Sequence, residues 1–165
     1  MKTSIFLLLF LISTCIQAQS EVEIRKAIWT CNYEKPISSI KPAIGDSIFT
    51  PLRAQALEAI NRYPEAIKEW NSLLKEDSTR IDILIGLAKC YKATNRNHHA
   101  MQCYRKAKSL SPENKYFHLQ YIRSLLATEE YDKARDECQA WIEQDSTSAS
   151  AYYLLGMAYE GLSIE

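Results

Sequence analysis

A step of 34 residues runs through this chain and narrows its fold more than any other feature. Ala66, Ala100 and Ala134 stand one step apart. So do Leu57, Tyr91, Leu125 and Tyr159, and likewise Ala54, Ala88, Ile122 and Gly156. Trp70, Tyr104 and Cys138 form a fourth column, and Leu73, Ala107 and Trp141 a fifth. Self-similarity at a fixed period marks a repeat architecture, in which each unit hides its apolar face against the next. The alanines let helices approach closely, while Trp70 and Tyr104 fill the space between them.

Each period carries the pattern of two helices. Ile81, Leu84, Leu87, Ala88 and Tyr91 form an apolar stripe at helical spacing, which predicts a helix over 82–92. Thr94-Asn95-Arg96-Asn97 is a polar break, and Met101, Cys103, Tyr104 and Ala107 mark a second helix over 100–110. Ser111-Pro112-Glu113 reads as the end of that helix and the start of another, with Ser as cap and Pro in the first turn. The next period predicts helices over 115–127 and 131–143 around the break Thr128-Glu129-Glu130, and then one over 149–160. In the first period Pro64 falls in a first helical turn. Only 4 Gly and 5 Pro argue against an all-β chain, and an apolar fraction of 47% is enough for a core.

Leu84, Leu87, Ala88, Tyr91, Ala100, Tyr104, Ala107 and Pro112 together resemble the tetratricopeptide repeat. The resemblance covers residues 47–165 and implies an all-α fold, a right-handed α-solenoid of antiparallel helix-turn-helix repeats. It divides the chain into repeats at 47–80, 81–114 and 115–148, with a partial repeat, helix A only, at 149–165. Three residues depart from the pattern: Arg53 stands where Leu is usual, Trp141 where Ala is usual, and Ser146 where Pro is usual. Residues 19–46 read as a degenerate N-terminal helical cap, with an irregular extended arm as the other reading.

Residues 1–18 have the pattern of a signal peptide: Lys2, an apolar run over 5–12, and Ala18 before Gln19. An uncleaved membrane anchor is a second reading, although the run is shorter than the ~20 residues a span needs. Lipidation of Cys15 is a third, although Thr14 precedes it rather than a smaller residue. Export places the protein in the periplasm or outside a bacterial cell, with outer-membrane association and membrane contact expected only under the second or third reading. Past the leader, Cys31, Cys90, Cys103 and Cys138 allow disulfides in an oxidising compartment. Their irregular spacing favours buried free thiols.

Twenty basic and twenty acidic residues leave no electrostatic case for nucleic acid. The glycines at 45, 86, 156 and 161 form no phosphate-cradling cluster, and no Gly-x-Ser-x-Gly elbow occurs. His99 and Cys103 share a helix face beside His98, but the pair sits where a repeat starts its second helix, so no metal is expected. No cofactor, small-molecule substrate or enzymatic activity is expected. The family resemblance instead implies a concave groove lined by the second, fifth, ninth and twelfth residues of each repeat. These are Asp82, Ile85, Lys89 and Lys92, then Tyr116, Leu119, Arg123 and Leu126, then Ser150, Tyr153, Met157 and Glu160. Lys89, Lys92, Tyr116, Leu119, Arg123, Tyr153 and Met157 are the candidate contacts for a protein or peptide with an apolar anchor beside an acidic group. Pro51, Gln55 and Gly86 replace the Lys and Asn set that holds a C-terminal carboxylate in some relatives, so chaperone tails are not expected partners. The expected function is a non-catalytic interaction scaffold in the bacterial envelope. Tyr152, Tyr153, Leu154, Leu155, Met157 and Tyr159 leave the final helix with an apolar surface partly open. This implies either a piece of a longer envelope protein, the favoured reading, or self-association through that helix.

Overall fold

The computed structural model describes residues 49–164 together with positions 22 and 26. The signal peptide expected at 1–18 lies outside the described residues. The cap expected at 19–46 does too, apart from Val22 and Lys26, both helical and exposed. All the described secondary structure is helical, and the chain divides into two compact units, Met1–Leu73 and Leu74–Glu165.

In the first unit, α1 (Phe49–Ala59) is followed by α2 (Tyr63–Glu76), whose last three residues belong to the second unit. Pro64 sits in the first turn of α2, where its missing N–H is no loss. Ala54, Leu57, Ala66 and Trp70, all members of 34-residue columns, are buried. Arg53, which departs from the usual Leu, is half-buried and reaches Glu69 of α2 at 3.4 Å. The carboxylate across the hairpin is what makes a cation tolerable there.

The second unit holds α3 (Ile81–Ala93), α4 (Asn97–Leu110), α5 (Lys115–Ala127), α6 (Tyr131–Gln144) and α7 (Ala149–Ile164). Each packs on the next, and α5 also packs on α7. Leu84, Ala107 and Phe117 form one core cluster with Leu74, Ile81 and Ile85 around it. Cys90, Cys103 and Cys138 are buried free thiols, and burial pushes Cys103 and Cys138 up to about 11. No described helix is long and apolar enough to cross a membrane.

The period reappears in the backbone. Asn61, Asn95 and Glu129, each one step apart, have φ of 62°, 58° and 60°. Each ends a first helix in the same hydrogen-bond pattern. The N–H of Arg62, Arg96 and Glu130 donates to the carbonyl five residues back, in Leu57, Tyr91 and Leu125, at 2.9, 2.8 and 3.0 Å. This is the Schellman closure, which needs one residue in the left-handed region. Thr94 and Thr128 reinforce it by donating their hydroxyls to the last carbonyls of α3 and α5.

Two expectations need correction. Ser111 does not cap α5, and Pro112 is not in its first turn. Asn114 N–H donates to Ser111 O at 3.1 Å, closing a β-turn with Pro112 second, a position its fixed φ suits. Asn114 is the true cap, and its side chain accepts from Tyr116 N–H at 3.0 Å. The second correction is that α7 does not stop at residue 160. Gly161 lies inside it, buried against Tyr131 of α6, and the helix runs to Ile164.

Candidate partner-binding face

The 34-residue step puts one set of residues on the same face of α3, α5 and α7. On α3 these are Asp82, Ile85, Lys89 and Lys92, of which Ile85 is half-buried and the other three are exposed. On α5, Tyr116 and Arg123 are exposed, while Leu119 and Leu126 are half-buried. On α7, Ser150, Tyr153, Met157 and Glu160 are all exposed. Large apolar side chains left in water on consecutive helices are what an interaction surface requires and a core position forbids.

The members are not equally close. Direct packing of α5 on α7 sets Tyr116, Leu119 and Arg123 on the helix beside Tyr153 and Met157. Lys89 and Lys92 lie on α3, which packs on α4. Of the two carboxylates in the set, Asp82 is already engaged: Arg80 Nη2 lies 2.6 Å from its Oδ2, and that hydrogen bond holds its carboxyl below the usual range. Arg123 on the same helix as the exposed Tyr116 gives the α5–α7 part of the face a positive and apolar character, and Lys89 and Lys92 put two further exposed cations on α3.

The alternative chemistry is not assembled. The ring of His99 lies against Tyr91 at 5.0 Å, His98 turns to Glu130 at 3.9 Å, and Cys103 is buried. Among the described residues no group of three or more His, Cys, Asp or Glu side chains is placed to hold a metal ion.

The sequence reading missed a polar cluster on the far side of α5. Lys108 of α4 pairs with Glu137 of α6, and its ammonium stands 5.3 Å from the Tyr121 ring centroid. Beside it, His118 is buried edge-on to Trp141, with ring centroids 5.7 Å apart. The one available signal was the column of Leu84, His118 and Tyr152, where a histidine interrupts large apolar residues.

Residues 42–153 match the family described as the psidin N-terminal TPR repeats region. No curated protein sequence matches the chain. Among solved structures it is similar to MamA protein, with 15% identity and a TM-score of 0.73 over 88% of this chain and 82% of that one. A tetratricopeptide repeat protein from Parabacteroides merdae is 13% identical, with a TM-score of 0.75 over 88% of this chain and 60% of that one. TTC0263, a TPR protein of Thermus thermophilus, is 14% identical, with a TM-score of 0.56 over 88% and 82%. At such identities the likeness establishes the fold, an all-α helical repeat solenoid.

Proposed function

The chain belongs to the family of the psidin N-terminal TPR repeats region, and on that premise we propose that it is a non-catalytic scaffold of a bacterial envelope that binds an extended peptide or helix. Proteins of this fold typically mediate protein–protein interaction, and the family is generally non-catalytic. The observation that carries the reading is the pair α5 and α7, which pack side by side with Tyr116, Tyr153 and Met157 exposed and Arg123 among them. Aromatic residues and Arg are the types that dominate binding energy at interfaces. Lys89 and Lys92 on α3 extend the positive character, so the ligand carries an apolar anchor beside acidic residues. The envelope location is supported by the leader pattern over 1–18.

A panel of peptides with one Phe, Leu or Trp flanked by Asp and Glu tests the face by fluorescence anisotropy. Lys89→Glu with Arg123→Glu is expected to weaken the tightest binder more than tenfold, and Tyr153→Ala to do so at any salt concentration. Binding untouched by both variants removes the face from the proposal. Mass spectrometry of protein recovered from a bacterial periplasm is expected to find Gln19 as the first residue.

A further inference from the structure

On α3 and α5 the partner-binding face is divided by charge along the helix axis. Ile85 and Tyr116 stand in the N-terminal halves of the two helices. Lys92 stands in the last turn of α3, and Arg123 one turn before α5 ends. Contacts at both ends set the helices alongside each other. Near their starts, Ile85 packs against the core cluster that Phe117 of α5 shares with Leu84, and the Tyr116 ring meets that of Phe117 edge-on at 5.6 Å. Near their ends, Asn97, the first residue of α4, donates to Ala127 O of α5 at 3.5 Å. Helix α4 packs on both, so Tyr116, Lys92 and Arg123 are exposed with their structural neighbours already in place. Arg80, Lys108, Lys115, Lys133 and Arg135 of the same unit each have a carboxylate within ion-pair distance. Among the described residues Lys92 and Arg123 have none. The acid of this stretch, Asp82, lies in the first turn of α3 and is already neutralised by Arg80. The stretch therefore calls for a carboxylate at its C-terminal end alone.

We propose that Lys92 and Arg123 form a carboxylate subsite two helical turns from an apolar subsite at Ile85 and Tyr116, and that the occupant is an extended segment of another protein with a carboxylate three residues from its apolar anchor. This deepens the scaffold reading above and rests on it. Lys92 follows Ile85, and Arg123 follows Tyr116, by seven positions, which is ~10 Å along each axis. A chain in the polyproline conformation rises ~3.1 Å per residue with three residues per turn. A residue three places on therefore lies ~9 Å away on the same side of the ligand, and matches the distance between the subsites. With α3 and α5 tied at both ends, a ligand helix of ~10 Å diameter does not fit down between them.

A peptide ruler tests the spacing. Acetylated and amidated Phe-(Pro)n-Asp peptides, in which Asp carries the single carboxylate, are titrated into the full chain and followed by amide NMR, with n from 0 to 5 and in both orders. Affinity is expected to peak at n of 2 in at least one order, with amides of α3 and α5 shifting. At n of 0 and 5 it is expected to be weaker by roughly threefold, which is what one exposed ion pair supplies. Lys92→Glu with Arg123→Glu is expected to abolish the peak and to bind Phe-Pro-Pro-Lys more tightly than the wild type does. Lys68→Glu with Arg105→Glu makes the same change in net charge at two other exposed cations and is expected to keep the peak. Equal affinity at every n, a peak that both double variants lose alike, or shifts confined to other helices overturns the proposal. So does a ruler that never binds while the acidic peptide panel does, and in that case the scaffold reading survives. Failure of both the ruler and the panel removes the two together.

Discussion

Gly161 faces the ring of Tyr131 across the contact of α6 and α7, and a methyl group there would overlap three carbons of that ring, Cγ among them. Since Cγ is the root of the ring, a small swing of its far end gives no relief. Gly161→Ala is expected to cost about 1–3 kcal/mol in urea denaturation. Gly156, five residues earlier, has open space, and Gly156→Ala is expected to gain about 0.5–1 kcal/mol in the same measurement through helix entropy alone. In the sequence both are glycines near the end of an apolar helix, and only the packing of Tyr131 separates them. His118 gives a second prediction at this scale. Burial lowers its pKa below 6.5, nearby Lys108 lowers it further, and Glu137 opposes both. The unfolded chain therefore takes up the proton first as pH falls, so stability declines from about pH 6.5 downward through the folded value. Asp145 acts in a separate window. Held down to about 2 by Lys115 and Thr147, it withdraws its contribution only below its ordinary 3.8. The melting midpoint of the wild type is expected to fall between pH 7 and 5, that of His118→Phe to stay flat there, and both to fall below pH 4.

At the scale of the helix and its ends, the three left-handed residues divide by chemistry. Asparagine tolerates that region; glutamate does not share its short polar side chain. Glu129 is therefore the strained member of the set, and Glu129→Gly is expected to raise stability by about 1 kcal/mol, read as a higher urea midpoint at unchanged slope. Asn61→Gly and Asn95→Gly are expected to gain less. The polar breaks that hold Asn95 and Glu129 were legible because a run of three or four polar residues cannot continue an apolar stripe. The left-handed residue within each break was not, since Glu gives no sign of it. The start of α5 was misread for a related reason. Ser-Pro-Glu suits a capped first turn and a β-turn equally well, and the choice is made by Asn114, whose side chain reaches Tyr116 N–H. The helices themselves lie close to their predicted spans, because buried alanines and aromatic residues can recur every 34 places only if helix pairs nest in register.

Beyond single helices, the same register made the face on α3, α5 and α7 legible: a fixed step fixes which side of each helix is covered. It could not give the pairing of α5 with α7, which depends on how far successive hairpins rotate. The links between hairpins in the second unit are local. Lys108 pairs with Glu137, Lys115 with Asp145 at 2.6 Å, and Asn97 donates to Ala127 O at 3.5 Å, each spanning about one repeat. A stack joined only through neighbours loses stability where it is perturbed rather than everywhere at once. The Gly161→Ala substitution acts at the contact of α6 and α7. Hydrogen exchange followed by mass spectrometry is therefore expected to find amides of α6 and α7 exchanging about 5–30-fold faster in this variant. Amides of α3 and α4 are expected to change less than twofold, because the core around Leu84, Ala107 and Phe117 contains no residue of α6 or α7. Equal acceleration in all five helices would mean that the second unit opens as one cooperative body, and the neighbour-by-neighbour account of its stability would fail.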